Sequence, residues 1–218
     1  MGSRKVRIVL FDVDGVLVEE KSSWQVIHRL LGVEEEAEKG TRMYMEGIID
    51  YLGWMRHDTG VWSRNKRVHI NDLKKAFEKV SVKPEAIEIA RRLHREGYLI
   101  GLVSAGIDLL VARVARAVGA DIWVANKLSY DKAGYLVEGG VPLVPAERKD
   151  YAVRRILGEL GLKPKEAAFI GDSVWDIPAF IVVGLPIGFG DDPRIIPYVK
   201  YVIRDLRELP GVLEEYGS

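Results

Sequence analysis

Four polar clusters in the sequence carry residue types that can handle a phosphate group. Asp12 and Asp14 belong to an Asp-Val-Asp-Gly run, and Asp172 follows a glycine much later in the chain. Ser104 begins a Ser-Ala-Gly turn, and Lys149 lies near the start of a predicted helix. Carboxylates held close together are unstable unless a cation neutralises them. Because Mg²⁺ prefers oxygen ligands and commonly sits between carboxylates and a substrate phosphate, these residues predict a magnesium site.

The same residues support covalent chemistry on phosphorus. A carboxylate such as Asp12 can attack a phosphoryl group and form an aspartyl-phosphate. The Lys149 ammonium would neutralise charge on the transferred group. The Ser104 hydroxyl and backbone N–H groups near Ala105 would hold phosphate oxygens.

Each cluster taken alone has an ordinary explanation. Asp-x-Asp-Gly is also a turn or a calcium-loop signal, and Asp172 could cap a helix. Ser104 by itself is more often a helix cap, and Lys149 by itself a solvated surface lysine. Their occurrence together, each at a predicted strand end or helix start, favours the functional interpretation.

Alternating elements position these clusters. The apolar run 6–11 predicts a buried strand that ends at Asp12. Further predicted elements are strands at 98–103, 122–125, 167–170, 185–189 and 201–203, a hairpin over 128–137, and helices at 84–96, 109–118, 147–160 and 206–215. This alternation predicts an α/β fold, a parallel sheet with helices on both faces. Ligands bind such sheets at the carboxyl ends of the strands.

A helical insertion interrupts this alternation over 22–80, where apolar residues recur at helical spacing and no strand is predicted. It is rich in aromatic residues, most of which we expect in the core and some at a site entrance: Trp24, Tyr44, Tyr51, Trp54 and Trp62. The chain is therefore divided into a core domain, 1–17 and 83–218, and a small helical cap, 18–82.

Composition limits the remaining possibilities. The 32 basic and 32 acidic residues balance, which gives no support for a nucleic-acid or membrane surface. The chain has no cysteine, which excludes disulfides and thiolate nucleophiles. No secretory signal or membrane-length apolar stretch is visible, so a cytoplasmic protein is expected. The oligomeric state is left open.

These motifs resemble the four motifs of the haloacid dehalogenase superfamily of phosphohydrolases, over residues 5 to about 190. Segments 41–51 and 125–128 are similar to the phosphoserine phosphatase branch. The resemblance implies a Rossmann-like core with a helical cap. It implies that Asp12 is the nucleophile and a metal ligand, and that Asp14 is the general acid–base with its carbonyl on the metal. It further implies that Ser104 binds phosphate, that Lys149 is the third-motif lysine, and that Asp172 binds the metal with support from Asp176.

Several positions depart from the phosphoserine phosphatase pattern. Gly15 and Val16 replace the usual Ser and Thr of the first motif. Lys21 aligns with the acidic residue expected to hold a substrate ammonium, and Asp58 aligns with the arginine expected to hold its carboxylate. A shift of two residues would bring Arg56 to that position instead. The bulky Trp175 near the fourth motif is expected to pack in the core.

The predicted function is a magnesium-dependent phosphomonoester hydrolase that acts on a small phosphorylated metabolite. Because Lys21 and Asp58 have the wrong charges for phosphoserine, sugar or aryl phosphates are expected to be better substrates. Two alternatives stay open: a phosphotransferase or mutase on the same fold, and a catalytically silent phosphate-binding regulatory protein.

Overall fold

A computed structural model describes residues 5–64 and 66–217 of the chain. Residues 1–4, 65 and 218 of the predicted domain ranges lie outside the described residues. The strands are β1 (Ile8–Phe11), β2 (Leu99–Ile107), β3 (Ile122–Tyr130), β4 (Leu136–Val141), β5 (Ala167–Gly171), β6 (Leu185–Phe189) and β7 (Tyr201–Ile203). The helices are α1 (Ser23–Leu31), α2 (Glu34–Met45), α3 (Tyr51–Ser63), α4 (Ile70–Glu78), α5 (Pro84–Arg95), α6 (Asp108–Val118), α7 (Lys149–Glu159), α8 (Ile177–Val182) and α9 (Leu209–Gly217).

The strands form one sheet in the order β4-β3-β2-β1-β5-β6-β7. Pairing is parallel from β3 to β7, and β4 alone runs antiparallel, as the second strand of a hairpin with β3. The predicted α/β class with a largely parallel, Rossmann-like sheet is confirmed. Since β1 lies at the centre and both neighbours pair with it in parallel, the ends of β1, β2 and β5 meet at one edge.

Alternate residues of the central strands pack into two apolar layers. Val9 and Phe11 point into a cluster with α5, α6 and α9, whereas Ile8 and Leu10 point into a second cluster with α7 and α8. Helices therefore cover both faces of the sheet, as the alternation predicts. This burial fixes the register, because a slip of one residue would reverse every side chain of β1.

Two strands extend further than predicted. β2 continues to Ile107 rather than ending at 103, and β3 continues to Tyr130 rather than ending at 125. The register between β2 and β3 shifts between Val103 and Ile107. The predicted strand ends, which were placed at polar residues, therefore came too early. A strand can continue through a polar residue such as Ser104 where its pairing is irregular. The six-residue α8 was not predicted, since so short a helix has too few apolar positions to show a period.

The segment between β1 and α5 folds into helices α1 to α4, as predicted. An isolated antiparallel bridge joins Val18 to Val82 where the chain leaves and re-enters the sheet region. Over the described ranges 5–64 and 66–217, no helix combines the length and the apolar character needed to cross a bilayer.

Candidate active site

The two acidic loops are the loop after β1, which carries Asp12 and Asp14, and the loop after β5, which carries Asp172; they lie in contact. The amide of Asp12 donates to the carbonyl of Ile170 at 2.9 Å, which continues the pairing of β1 with β5. Gly15 has a φ of +79°, and a Cβ there would lie 2.2 Å from Oδ2 of Asp172. Glycine adopts this conformation without strain and leaves room for the carboxylate. The close approach of the two acidic loops thus explains why glycine replaces the usual Ser of the first motif at position 15.

Lys149 is the first residue of α7 and is 1% exposed. Its Nζ lies 2.9 Å from Oδ2 of Asp12 and 2.5 Å from Oδ1 of Asp176. Burial alone would lower the pKa of Lys149, but the carboxylates of Asp12 and Asp176 raise it above its ordinary value. The ammonium therefore stays charged beside the predicted nucleophile and is not a surface lysine.

Asp176 connects Lys149 to the loop that carries Asp172. While its Oδ1 accepts from Lys149, its Oδ2 accepts from the backbone N–H groups of Asp172 and Ser173 at 3.0 and 3.1 Å. Asp176 is completely buried, so these contacts satisfy a charge that would otherwise be costly. It therefore fixes both the lysine and the Asp172 loop.

Three carboxylates are placed to share a cation. Asp12, Asp172 and Asp176 each offer an oxygen, and these oxygens all lie within 4.8 Å of one another. The sequence predicted Asp12, Asp14 and Asp172 as ligands. Among the residues that the structure describes, the Asp14 carboxylate lies outside this group, which leaves its backbone carbonyl as the predicted contact.

The electrostatics of this group favour a bound cation. Burial raises the pKa of Asp12 well above its usual range, with additions from Asp176 and Asp172 and an opposing effect from Lys149. Burial also raises the pKa of Asp172, opposed by a hydrogen bond from Lys21, whose Nζ lies 2.6 Å away. A divalent cation would relieve the repulsion between these carboxylates, and the atoms that could bind it are all oxygens. The residues therefore fit Mg²⁺.

Among the described residues, only one of the two carboxylate oxygens of Asp14 accepts hydrogen bonds. Its Oδ2 accepts from the backbone N–H of Ser23 at 2.7 Å and from the Ser23 hydroxyl at 2.9 Å. Its Oδ1 is buried and has no hydrogen-bond partner in the part of the chain that the structure describes. Burial raises the pKa of Asp14, and the Ser23 hydrogen bonds oppose this rise. A fixed carboxyl with one uncommitted oxygen and a raised pKa is suited to proton transfer.

Ser104 and Ala105 lie in the irregular part of β2. Ser104 is 1% exposed, and its hydroxyl accepts from the N–H of Gly106 at 3.0 Å. The Ala105 carbonyl accepts from the Trp24 indole at 3.0 Å, the Tyr51 hydroxyl at 2.9 Å and the Asn126 amide at 2.8 Å. This carbonyl is therefore committed to the protein and ties α1, α3 and β3 to the edge of the sheet.

A cavity of about 710 Å³ opens above these groups. Every predicted catalytic, phosphate-binding and metal-binding residue lines it: Asp12, Asp14, Ser104, Ala105, Lys149 and Asp172. Its lining also includes four aromatic residues, Trp24, Tyr51, Trp54 and Trp175. Trp175 is half-buried: it packs against the small apolar cluster of Tyr51, Met55 and Ala146, as expected, and it also lines this cavity. Trp62, by contrast, is 2% exposed and belongs to the core as expected.

The residues aligned with the serine-binding positions occupy different environments. Lys21 lines the cavity and pairs with Asp172. Asp58 is 2% exposed, does not line the cavity, and pairs with Nε2 of His28 and Nδ1 of His57, both at 3.1 Å. Arg56 is likewise outside the cavity lining. The structure therefore brings neither Asp58 nor its proposed substitute Arg56 to the cavity wall.

Sequence reasoning missed several residues that build the site. Ser23 was overlooked as the partner of Asp14, because Ser-Ser before an apolar run indicates only a helix N-cap. His28 lines the cavity and is held by Asp58, a pairing 30 residues apart with no local signal. Lys83 is 7% exposed and donates to the carbonyl of Gly15 at 3.1 Å. A lysine placed just before a helix-starting proline gave no hint of this contact.

The fold and the site define the class of protein. Residues 6–184 match the family described as haloacid dehalogenase-like hydrolase. Because this match covers most of the chain, the chain belongs to that hydrolase family, as the motifs predicted.

Individual relatives show which members of this family the chain resembles. A phosphoserine phosphatase of Methanocaldococcus jannaschii is 30% identical over 211 residues, which are 94% of this chain and 97% of the relative. A phosphoserine phosphatase of Lactococcus lactis is 29% identical over 95% of this chain and 94% of its own length. A substrate-bound phosphoserine phosphatase structure matches with a TM-score of 0.80 and 28% identity, over 96% of this chain and 99% of that one. The predicted phosphatase-type enzyme of the phosphoserine phosphatase-like branch is thus confirmed.

Proposed function

We propose that the chain is a magnesium-dependent phosphomonoesterase that works through an aspartyl-phosphate on Asp12. The observation that carries the proposal is the placement of Asp12 between a buried ammonium and a group of carboxylates at one edge of the sheet. Oδ2 of Asp12 contacts Lys149, and Asp172 lies within reach of the same cation site. This arrangement supports a nucleophilic role for Asp12, which lines the cavity, rather than a purely structural one.

In the first step an Asp12 oxygen bonds to phosphorus, and the bond from phosphorus to the ester oxygen breaks. Asp14, through its uncommitted Oδ1, gives its proton to the departing oxygen, which leaves as a neutral alcohol. In the second step Asp14 takes a proton from water. The water oxygen then bonds to phosphorus while the bond from phosphorus to the Asp12 oxygen breaks. Inorganic phosphate is released, and the Asp12 carboxylate is restored.

Charge on the transferred group is balanced by fixed residues. The Lys149 ammonium and the Ser104 hydroxyl line the cavity next to Asp12, where they would hold phosphate oxygens. Mg²⁺ held by Asp12, Asp172 and the Asp14 carbonyl would shield the negative nucleophile from the negative phosphate. Asp176 holds Lys149 and orients the Asp172 loop.

Helices of the segment 18–82 form the proposed cap over a core of 1–17 and 83–218. The bridge between Val18 and Val82 supports this boundary, because the segment leaves and returns at one point. Trp24 and Tyr51 from this segment line the same cavity as the acidic loops. The cap would therefore form the wall that contacts the leaving group. A cytoplasmic location, and the absence of nucleic-acid partners, stay predictions.

Phosphoserine is the first candidate substrate, because the relatives named above are phosphoserine phosphatases. Two positions argue against it as the preferred one. Lys21 lines the cavity where the family pattern has an acid, and Asp58 is buried behind His28. A small phosphomonoester without an ammonium group is therefore the proposed substrate.

The proposal is tested by replacing the nucleophile. Asp12→Asn is expected to abolish release of inorganic phosphate from a panel of phosphomonoesters with magnesium, while the thermal transition is retained. Asp191→Asn, at an exposed acidic position, is the matched control and should keep wild-type activity. Wild-type turnover in Asp12→Asn would refute the mechanism. Phosphate transfer to an added alcohol without phosphate release would instead indicate the phosphotransferase alternative.

A further inference from the structure

We infer that the leaving-group side of the cavity is a subsite for a planar apolar ring, so that ring-bearing phosphate esters are preferred over aliphatic or amino-acid esters. This inference rests on the proposed phosphomonoesterase function and names its substrate class. It depends on the aromatic wall, which we define as Trp24, Tyr51, Trp54 and Trp175.

The aromatic wall is a continuous packed surface. Tyr44 lies behind it, with its ring stacked on Trp54 at 4.6 Å and 6.2 Å from that of Trp175. The Tyr51 and Trp54 rings meet edge to face at 5.7 Å. Residues from α1, α3 and the loop after β5 therefore form one surface on the cavity. Since Trp175 comes from the Asp172 loop, the wall begins next to the phosphate site.

Hydrogen bonds hold the wall in place. Trp24 and Tyr51 both donate to the Ala105 carbonyl, one residue from the predicted phosphate ligand Ser104. The Tyr44 hydroxyl donates to Glu147, which lies two residues before Lys149. These bonds anchor the wall to the same backbone that holds the phosphate-binding groups. A rigid apolar surface loses little entropy when a flat ligand packs against it.

The charges around the wall do not suit a serine-like leaving group. Lys21 would repel an ammonium group, and the buried Asp58 is already paired with His28 and His57. Glu34 and Glu38 also line the cavity, but both are exposed, where solvent screens their charge. The half-buried part of the wall therefore offers apolar contact, whereas Lys21, Glu34 and Glu38 lie at exposed positions.

An aromatic ring gains most from such a surface. Ring pairs in offset or edge-to-face contact add to the burial of apolar area. A benzyl group should therefore bind at least about tenfold tighter than an ethyl group on the same phosphorus headgroup.

The test compares ligands that differ in the ring alone. Benzylphosphonate and ethylphosphonate, which cannot be hydrolysed at phosphorus, are titrated calorimetrically into the full chain with magnesium. Benzyl phosphate and ethyl phosphate are compared by kcat/KM, since both release a primary alcohol. At least tenfold preference for benzyl is expected in both measurements.

Variants of the aromatic wall test whether it causes the preference for benzyl over ethyl ligands. Trp54→Leu and Trp175→Leu should each reduce the ratio of benzyl to ethyl binding at least about threefold. Trp123→Leu is the control, because Trp123 is 38% exposed on β3 and does not line the cavity. Trp54→Phe, which keeps a ring, should retain most of the preference.

The outcomes separate the two proposals. Benzylphosphonate binding without any phosphate release supports the ring subsite and refutes the proposed function. Equal binding of the two phosphonates, or binding of neither, overturns the subsite. A higher kcat/KM for choline phosphate than for benzyl phosphate would assign the wall to a quaternary ammonium and also overturn it.

Discussion

Removal of the Lys149 ammonium should destabilise the metal-free protein strongly at neutral pH. Its Nζ lies 2.9 Å from Asp12 and 2.5 Å from Asp176, and the lysine is 1% exposed. Lys149→Met would leave buried carboxylates without their cation, and breaking a buried pair in this way typically costs about 3–5 kcal/mol. For a chain of this size, that loss lowers the Tm by roughly 6–20 °C.

The loss should depend on pH and on magnesium. The Lys149 ammonium lowers the pKa of Asp12, which burial otherwise raises. In Lys149→Met the pKa of Asp12 therefore rises further, and the carboxyl takes up a proton as the pH falls. The stability difference from wild type is thus expected to be largest near pH 8 and smaller near pH 5. Magnesium should recover part of it at neutral pH by neutralising the same carboxylates.

Urea unfolding at pH 8 and pH 5, with EDTA or with magnesium, measures these free energies. Lys74→Met, at an exposed position of helix α4, is the matched control and should change the unfolding free energy by less than about 0.5 kcal/mol. A loss in Lys149→Met no larger than that of the control, or a loss that grows as the pH falls, would refute this account of the site.

Other expectations concern catalysis, metal and substrate. Asp14→Asn should reduce kcat by about 10²–10⁴-fold on alkyl phosphates and by less on nitrophenyl phosphate; equal losses on both would contradict its role as general acid. EDTA should abolish activity and magnesium restore it, so full activity after exhaustive chelation would exclude a metal requirement. Because burial raises the pKa of Asp172, its charge costs stability above that pKa; Asp172→Asn should raise the Tm in EDTA at pH 8, and this gain should vanish as the pH falls. Phosphoserine should show a lower kcat/KM than sugar or aryl phosphates; a tenfold lead for phosphoserine, about 1.4 kcal/mol, would mean that the alignment of Lys21 and Asp58 with the serine-binding positions is wrong.

Much of the fold follows from local pattern. The run that ends at Asp12 is apolar on both sides because β1 is buried on both faces, and this is visible without any tertiary information. Glycines mark the ends of helices such as α6, where Gly119 has a positive φ. The convergence of Asp12 and Asp172 was also predictable, since parallel strands bring their carboxyl ends to one edge, whereas Lys149 reaches that edge from the start of α7.

The tertiary structure decided what local pattern does not encode. Whether an aromatic residue of an amphipathic helix faces a core or a cavity depends on what packs against it, so Trp54 and Trp62 look alike in sequence but differ in place. Trp175 packs against the apolar cluster of Tyr51, Met55 and Ala146, as predicted, but it also lines the cavity, which the sequence did not indicate. The buried position of Asp58 depends on its contact with His28, 30 residues away on α1, which no local pattern indicates. The edge of the sheet that gathers the acidic loops was therefore fixed by the strand order, whereas the proposed aromatic wall was fixed by packing between segments distant in sequence.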